Sequence, residues 1–256
     1  MIQSTPVDEK IVNSRINSTN NDAEENLADG SMYNNSDNLE LIYDADGINQ
    51  LAGMKFDAIN IPKGSRILEV YIQFTTCEVS TGTASLTIKG EYNGNASEFT
   101  TNAYDISNRV TTSNSVDWNP PEWTSEGQAG PGQRTSDISA IVQEIIDHPD
   151  WVSGNSIALI VSGTAGSRRC AESFDGSSNS APQLVIYFSD VPWSLGDVNH
   201  DDKINIIDAL SIARYYVGLN LPNFDIAVAD TNCDKSVTIL DTLLIARFYV
   251  GLIRGF

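Results

Sequence analysis

Near its C-terminal end the chain repeats one phrase of 24 residues, and this repeat limits the possible fold more than any other feature. GDVNHDDKINIIDALSIARYYVGL occupies positions 196–219, and ADTNCDKSVTILDTLLIARFYVGL occupies positions 229–252. Acidic and amide side chains fall at the same offsets in both copies, and a similar apolar stretch follows them. The last quarter of the chain is therefore predicted to contain two copies of one short unit.

The polar first half of each copy has the spacing of an EF-hand-type calcium loop. Such a loop supplies oxygen ligands from its positions 1, 3, 5, 7, 9 and 12, and position 7 contributes its backbone carbonyl. The side chains at position 7, which belong to Lys203 and Ser236, are both acceptable for that reason. We predict two Ca²⁺ sites, the first formed by Asp197, Asn199, Asp201, Lys203, Asn205 and Asp208, and the second by Asp230, Asn232, Asp234, Ser236, Thr238 and Asp241.

Two positions depart from the usual calcium loop. Position 6, where glycine is common because φ is positive, holds Asp202 in the first loop and Lys235 in the second. A lysine in that conformation costs roughly 1 kcal/mol or more, so weaker calcium binding by the second loop is expected. Position 4 holds His200 and Cys233. A histidine beside carboxylates could indicate a transition metal, but oxygen ligands at this spacing favour calcium.

Each loop leads directly into an apolar helix, and no helix precedes either loop, so each copy is half of an EF-hand. The paired loops and the endings ARYYVGL and ARFYVGL resemble a type I dockerin, over about residues 195–256. The resemblance implies docking to a cohesin of a cellulosomal scaffoldin, with either helix facing the cohesin in orientations related by about a half-turn. An alternative is that one apolar residue of each loop's pair is simply core. The implied cohesin contacts are Ile206, Ile207, Arg214, Ile239, Leu240 and Arg247.

Upstream of the repeat, short strand-like segments are separated by Gly, Asn, Ser and Pro clusters. One helix, in TSDISAIVQEIIDHPDW, is predicted to form a lid over an edge of the resulting sandwich. We predict a mainly β sandwich or jelly roll with one helix over residues 1–190, a linker at 191–195, and a small all-α domain with two half-EF-hand loops at 196–256. In the clearest strand, ILEVYIQF, one face carries Leu68, Val70, Ile72 and Phe74, and the other carries Glu69, Tyr71 and Gln73.

The segments DAEENLADG, SDNLELIYD, GSRRCAESFDG and APQLVIYF resemble a family of secreted bacterial β-sandwich domains. They are also similar to sandwich modules of which some bind carbohydrate. The resemblance supports the fold more than the function. We predict a non-catalytic carbohydrate-binding module, for which exposed aromatic faces would be needed. The candidates for such faces are Trp118, Trp123 and Tyr92.

Two alternatives for the sandwich are a polysaccharide-degrading enzyme, either a glycoside hydrolase or a lyase, and a structural or adhesive module. For an enzyme the candidate catalytic residues are Glu172, Asp175 and Arg168. Glu172 with Glu69 or Glu78 could hydrolyse a glycoside, and an arginine of GSRRC could clamp a uronate. The plainer interpretation is that one of these arginines pairs with Glu172 or a nearby aspartate. Acids from both ends of the domain could also meet around one structural calcium: Asp22, Glu24, Glu25, Asp37, Glu40, Glu172 and Asp175.

The bulk properties of the chain limit its partners and its compartment. A formal net charge of −19 repels nucleic acid phosphates and anionic membranes, so neither is an expected partner. No apolar run approaches the roughly 20 residues that cross a bilayer. The opening MIQSTPVDEK lacks the features of a signal peptide, which suggests a start methionine added to a mature secreted chain. The expected location is extracellular, on a cellulosome or a cell surface.

Three cysteines are too few for a disulfide scaffold. Cys77 and Cys170 both lie in predicted strands, and they could form a disulfide or remain two separate buried thiols. Cys233 lies inside the repeat and is expected to be a free surface thiol.

Overall fold

The structure is a computed structural model that describes residues 9–44, 46–190, 194–219, 221–222, 224–234 and 236–256, without the side chain of Ala227. The chain divides into two compact units, Met1–Val191 and Pro192–Phe256. Within the described residues, no helix is both long enough and apolar enough to span a bilayer.

The first unit is built mainly from antiparallel strands. They form a three-stranded sheet in the order β1-β11-β6, a six-stranded sheet in the order β3-β2-β5-β9-β7-β8, and a pair β10-β4. These observations agree with the predicted sandwich. The strands are β1 (Lys10–Arg15), β2 (Asp22–Asn26), β3 (Met32–Tyr33), β4 (Asn38–Leu41), β5 (Gln50–Phe56), β6 (Arg66–Gln73), β7 (Leu86–Gly90), β8 (Val116–Trp118), β9 (Ile157–Gly163), β10 (Arg169–Glu172) and β11 (Gln183–Ser189).

The two larger sheets share one apolar core, and strand β6 shows how alternation fills it. Val70 and Ile72 are fully buried, as period-two alternation predicts. The prediction for Leu68 is wrong, because Ile67 is the buried residue at that end of the strand. A β-bulge explains the difference. Tyr187 pairs with Glu69 but Phe188 pairs with Ile67, so the pairing skips one residue and reverses the faces.

The predicted helix is α1 (Ser139–Ile146), and it covers the edge of β6 as a lid. Its Gln143 side chain accepts a hydrogen bond from the backbone N–H of Ile67 at 2.8 Å. Asp137 accepts from the N–H of Val70 at 3.0 Å and from the N–H of Ser139, at the start of the helix, at 2.9 Å. The lid therefore satisfies backbone donors of an edge strand that would otherwise be open to pairing.

A disulfide joins Cys77 to Cys170, with the two Cα atoms 5.5 Å apart and a sequence separation of 93. The bridge links the segment after β6 to strand β10, and the N–H of Cys77 also donates to the carbonyl of Cys170 at 3.0 Å. This resolves the alternatives left open by the sequence in favour of pairing. Cys233 is free and exposed, as expected.

The second unit contains helices α2 (Ile206–Tyr216) and α3 (Ile239–Tyr249), each of which follows one predicted calcium loop. The helices pack on each other, and the ring of Tyr215 stacks on Phe224 at 4.6 Å. The core is small for an autonomous unit, and its buried members are Val198, Ala209, Ile212, Ala229 and Ile245.

Candidate functional site

In the first loop, two buried carboxylates hold the two ends of the turn. Asp197 accepts hydrogen bonds from the N–H groups of Asp201 at 3.1 Å and Asp202 at 3.0 Å. Asp208 accepts from the N–H of Val198 at 3.1 Å and from that of Asn205 at 2.9 Å. The first and twelfth positions of the loop are thereby drawn toward the same small volume.

The electrostatics of this loop favour a cation. Burial raises the pKa of Asp197, and the negative charges of Asp208 and Asp201 raise it further, against hydrogen bonds that lower it. Burial and the charge of Asp201 likewise raise the pKa of Asp208. A bound cation would offset both the burial and the mutual repulsion of these carboxylates.

The second loop repeats this arrangement. Asp241 accepts from the N–H of Thr238 at 2.8 Å and from the N–H of Asn232 at 3.2 Å. The N–H of Asp234 donates to Asp230 at 3.1 Å. Lys235 lies outside the described residues, so the weaker affinity expected of this loop stays a prediction.

The donor set of both loops suits a hard cation. No cluster of three or more His, Cys, Asp and Glu side chains that could hold a metal is found among the described residues, so each loop depends on amide, hydroxyl and carbonyl oxygens beside its carboxylates. His200 is not directed to this role, because its Nε2 lies 3.0 Å from Asp225 Oδ2. His200, Asp202 and Cys233 all have φ near +60°, so positions 4 and 6 of the first loop and position 4 of the second use the left-handed region.

The residues at position 9 of each loop also cap the helices. Asn205 Oδ1 accepts from the N–H of Ile207 at 2.7 Å, and Thr238 Oγ1 accepts from the N–H of Leu240 at 3.1 Å. In both loops the position-12 carboxylate accepts a hydrogen bond from the backbone N–H of the cap residue, which completes a capping box. Loop geometry and helix initiation therefore depend on the same side chains.

Positions 10 and 11 of each loop hold exposed apolar residues, and we call these two pairs together the docking face: Ile206, Ile207, Ile239 and Leu240. Their exposed fractions are 48%, 51%, 49% and 54%. Neither residue of either pair is core, since Ala209, Ile212 and Ile245 fill that space. Arg214 and Arg247 are exposed further along the two helices.

In the sandwich, the structure corrects two of the three sugar-platform predictions. Trp118 and Trp123 are only 3% and 0% exposed, and both rings pack near Phe74 in the core. The indole N–H of Trp123 is also used, donating to the carbonyl of Gly132 at 3.0 Å. Tyr92 is 40% exposed, with its ring edge-on to His148 at 4.7 Å.

The candidate catalytic residues have structural contacts. Arg168 forms ion pairs with Glu78 and, at 3.5 Å, with Glu40, rather than with Glu172. Glu172 is partly buried on β10, where burial and the charge of Glu126 raise its pKa. Asp175 is exposed and accepts from the Thr19 hydroxyl at 2.9 Å. These contacts do not bring the three candidates together around one another.

The neighbouring Arg169 explains part of the GSRRC motif. Its side chain is fully buried and, within the described part of the chain, donates to backbone carbonyls, those of Gly82, Pro120, Pro121 and Arg168. A guanidinium enclosed in this way holds loops together and cannot reach a substrate carboxylate.

The outer face of the three-stranded sheet carries a polar aromatic surface. The sequence patterns do not reveal it. We call it the tyrosine face, and it consists of Tyr71, Gln73, Arg134 and Tyr187. Tyr71 pairs directly with Val185, so Tyr187 is its diagonal neighbour, and the hydrogen bond with Tyr71 raises the pKa of Tyr187. The Arg134 guanidinium lies 4.6 Å over the Tyr71 ring, and its Nε donates to Gln73 at 2.7 Å.

Residues 195–248 match the profile of the Dockerin type I domain family. The match confirms the resemblance seen in the repeat, and it supports calcium-dependent docking to a cohesin. A dockerin implies an extracellular protein associated with a cellulosome. No curated protein matches the chain.

Proposed function

We propose that this chain is a secreted cellulosomal protein in which two calcium-loaded loops present a docking face to a scaffoldin cohesin, while the sandwich is a non-catalytic carbohydrate-binding module. The observation that carries the docking half is the pairing of each capped loop with two half-exposed apolar residues on the helix that it starts. The loops would hold one calcium ion each through the twelve residues predicted from the spacing.

Secretion is supported by the bridge between Cys77 and Cys170. Disulfides form and persist in oxidising compartments and are rare where thiols are kept reduced. Loops that bind calcium also suit the extracellular space, where modules with modest calcium affinity remain loaded.

The docking face is tested by placing aspartate on one helix or on both. Because the two halves are equivalent, Ile206→Asp/Ile207→Asp alone and Ile239→Asp/Leu240→Asp alone are each expected to lower affinity for a type I cohesin by about twofold. The combined variant removes both orientations and is expected to lower it roughly 100-fold or more. Aspartate is compatible with the first turn of a helix. Surface plasmon resonance with the full chain measures this.

Circular dichroism in calcium provides the control, since all three variants should keep wild-type helicity. If the combined variant bound the cohesin as the wild type does, the docking face would be wrong. If substitution of one apolar pair alone abolished binding, the prediction that the cohesin can bind in two orientations would be wrong.

The tyrosine face carries the sugar-binding half of the proposal. Two neighbouring, partly exposed tyrosines on the outer face of the sheet would offer ring surface to a sugar, while Arg134 and the exposed Asn13 of β1 would offer hydrogen bonds beside it. The arginine would further suit a uronate carboxylate. Among the candidate catalytic residues, Arg168 and Asp175 are instead engaged in contacts with other residues of the sandwich, which favours binding over hydrolysis.

Native gels cast with neutral and uronic polysaccharides test this half. The full chain is expected to be retarded by at least one polymer, and Tyr71→Ala/Tyr187→Ala is expected to weaken binding about tenfold or more. Tyr33→Ala is the matched control, since it removes an exposed tyrosine that is not a sugar-binding candidate and should leave retardation unchanged. Loss of binding only in Tyr92→Ala would contradict the tyrosine face.

The same gels distinguish the alternatives. A cleared zone that Glu172→Ala abolishes would identify a polysaccharide-degrading enzyme and overturn the non-catalytic assignment. Intact cohesin binding with neither retardation nor clearing would favour a structural or adhesive module.

A further inference from the structure

A small oxygen-lined cavity lies between strand β2, the segment 33–39 and the turn after β10. Its volume is about 10 Å³, which is room for one water molecule or one bare cation. An organic ligand is too large for it. The polar side chains that line it belong to Asp22, Glu24, Asn34, Ser36, Asn38 and Ser173.

Two of these side chains are buried carboxylates. Asp22 and Glu24 are each 3% exposed, and they lie two residues apart on β2, so they share one face of the strand. Asp22 accepts from the N–H of Phe174 at 2.8 Å, and Glu24 accepts from the N–H of Glu40 and from the Ser36 hydroxyl at 3.1 Å. Among the described ion pairs, neither carboxylate meets a lysine or an arginine.

An independent observation comes from Asn34, which is 8% exposed and lines the same cavity. Its amide nitrogen donates to Asn20 Oδ1 at 3.3 Å and to the carbonyl of Phe99 at 3.2 Å. Its Oδ1 atom is buried and receives no hydrogen bond. Buried acceptors without a donor are uncommon and costly, so this oxygen indicates an occupant that can satisfy it.

The charges around the cavity favour a cation over a water molecule as that occupant. Asp22 and Glu24 are both buried, and the carboxylates of Asp175 and Glu40 add negative charge near them. A water molecule would satisfy the amide of Asn34 but would leave two carboxylates buried without a counter-charge.

We propose that this cavity is a structural calcium site, with Asp22, Glu24 and the Oδ1 atom of Asn34 among its ligands. The ligands are all oxygens, which hard divalent cations prefer, and two carboxylates with an amide oxygen and no dedicated octahedral cage suit calcium. The ion would join β2 to two segments that already touch. The Ser173 hydroxyl donates to the carbonyl of Ser36 at 2.6 Å, and the backbone of Gly176 lies against Asp37 so closely that a Cβ would meet its carbonyl oxygen at 1.9 Å.

The site is tested by counting calcium in the full chain after equilibrium dialysis, with inductively coupled plasma mass spectrometry. Asp22→Asn/Glu24→Gln keeps the shapes of both side chains and is expected to bind one calcium ion fewer than the wild type. Glu25→Gln is the matched control. Glu25 is a fully buried acid on the same strand, but it faces the other way and accepts from the N–H groups of Ile106 and Ser107. Its variant should retain the wild-type calcium content.

A second variant keeps the test decisive if Asp22→Asn/Glu24→Gln does not fold. Asp197→Ala/Asp230→Ala disables both repeat loops and leaves β2 intact, so the full chain should still bind one calcium ion. Calcium should also raise the unfolding midpoint reported by the fluorescence of the buried tryptophans of the sandwich. Wild-type calcium content in a folded Asp22→Asn/Glu24→Gln variant, or no calcium in the loop variant, would show that the cavity holds only water. If the docking proposal failed, the loop variant would bind a cohesin as the wild type does, and this calcium count would be unaffected.

Discussion

In calcium-containing buffer, a full-length Asp197→Ala/Asp230→Ala variant is expected to lose its C-terminal helices and to bind a type I cohesin roughly 100-fold or more weakly than the wild type. Asp197 is buried and fixes the first loop through two backbone N–H groups, and Asp230 holds the N–H of Asp234 in the second. The core of this unit contains few residues, so ion binding supplies much of its stability. Far-ultraviolet circular dichroism and a cohesin-binding isotherm measure the two losses.

The wild-type chain provides a reversible version of the same experiment. EDTA should remove the helical signal and the cohesin affinity together, and added calcium should restore both. Asp150→Ala is the charge control, because that side chain belongs to the sandwich and is 86% exposed. Helicity that EDTA leaves unchanged would contradict the coupling of calcium to folding.

Replacing Cys77 and Cys170 together by alanine is expected to lower the free energy of unfolding of the sandwich by about 4 kcal/mol. The bridge closes a loop of 93 residues, and a cross-link over such a span restricts the unfolded chain strongly. Cys170 is also fully buried, so its loss removes packing. Urea unfolding followed by tryptophan fluorescence measures the change, because Trp118, Trp123 and Trp151 are all buried in this unit.

Two controls separate the bridge from general effects of removing a cysteine. Cys233→Ala removes the exposed thiol of the other unit and should change the sandwich's stability by less than about 0.5 kcal/mol. Dithiothreitol should destabilise the wild type to a similar extent as the double substitution and should leave the double variant unchanged. A wild-type midpoint that did not move on reduction would refute the prediction.

The calcium loops and their helices could be predicted from sequence because their determinants are local. The ligands, the cap residues and the first helical turn all lie within a dozen positions, and the repeat presents them twice. Asn205 and Thr238 illustrate this, since each acts on a backbone N–H two residues away. The alternation of buried and exposed residues in β6 could also be predicted from sequence. It fails at Leu68, because a β-bulge there exchanges the two faces of the strand.

The functional features of the sandwich depend on strand order, which local patterns do not reveal. Alternation already placed Tyr71 and Gln73 on one face, but Tyr187 joins them only because β11 lies beside β6. For Trp118 and Trp123 the local pattern predicts exposure, and the fold buries them. Their positions flanking a turn suggest exposure, yet both pack near Phe74, a contact between distant segments. The partners of Cys170 and Arg168 are non-local for the same reason.

Because the residues that begin α2 and α3 belong to the predicted ion-binding loops, we expect the docking face to form only when the loops are closed. Calcium would then be a condition for the binding surface itself, in addition to stabilising it. A chain synthesised where free calcium is scarce would lack a formed docking face. Assembly onto a scaffold would then begin only after export. The location of assembly would then be set by the ion supply, without any separate inhibitor.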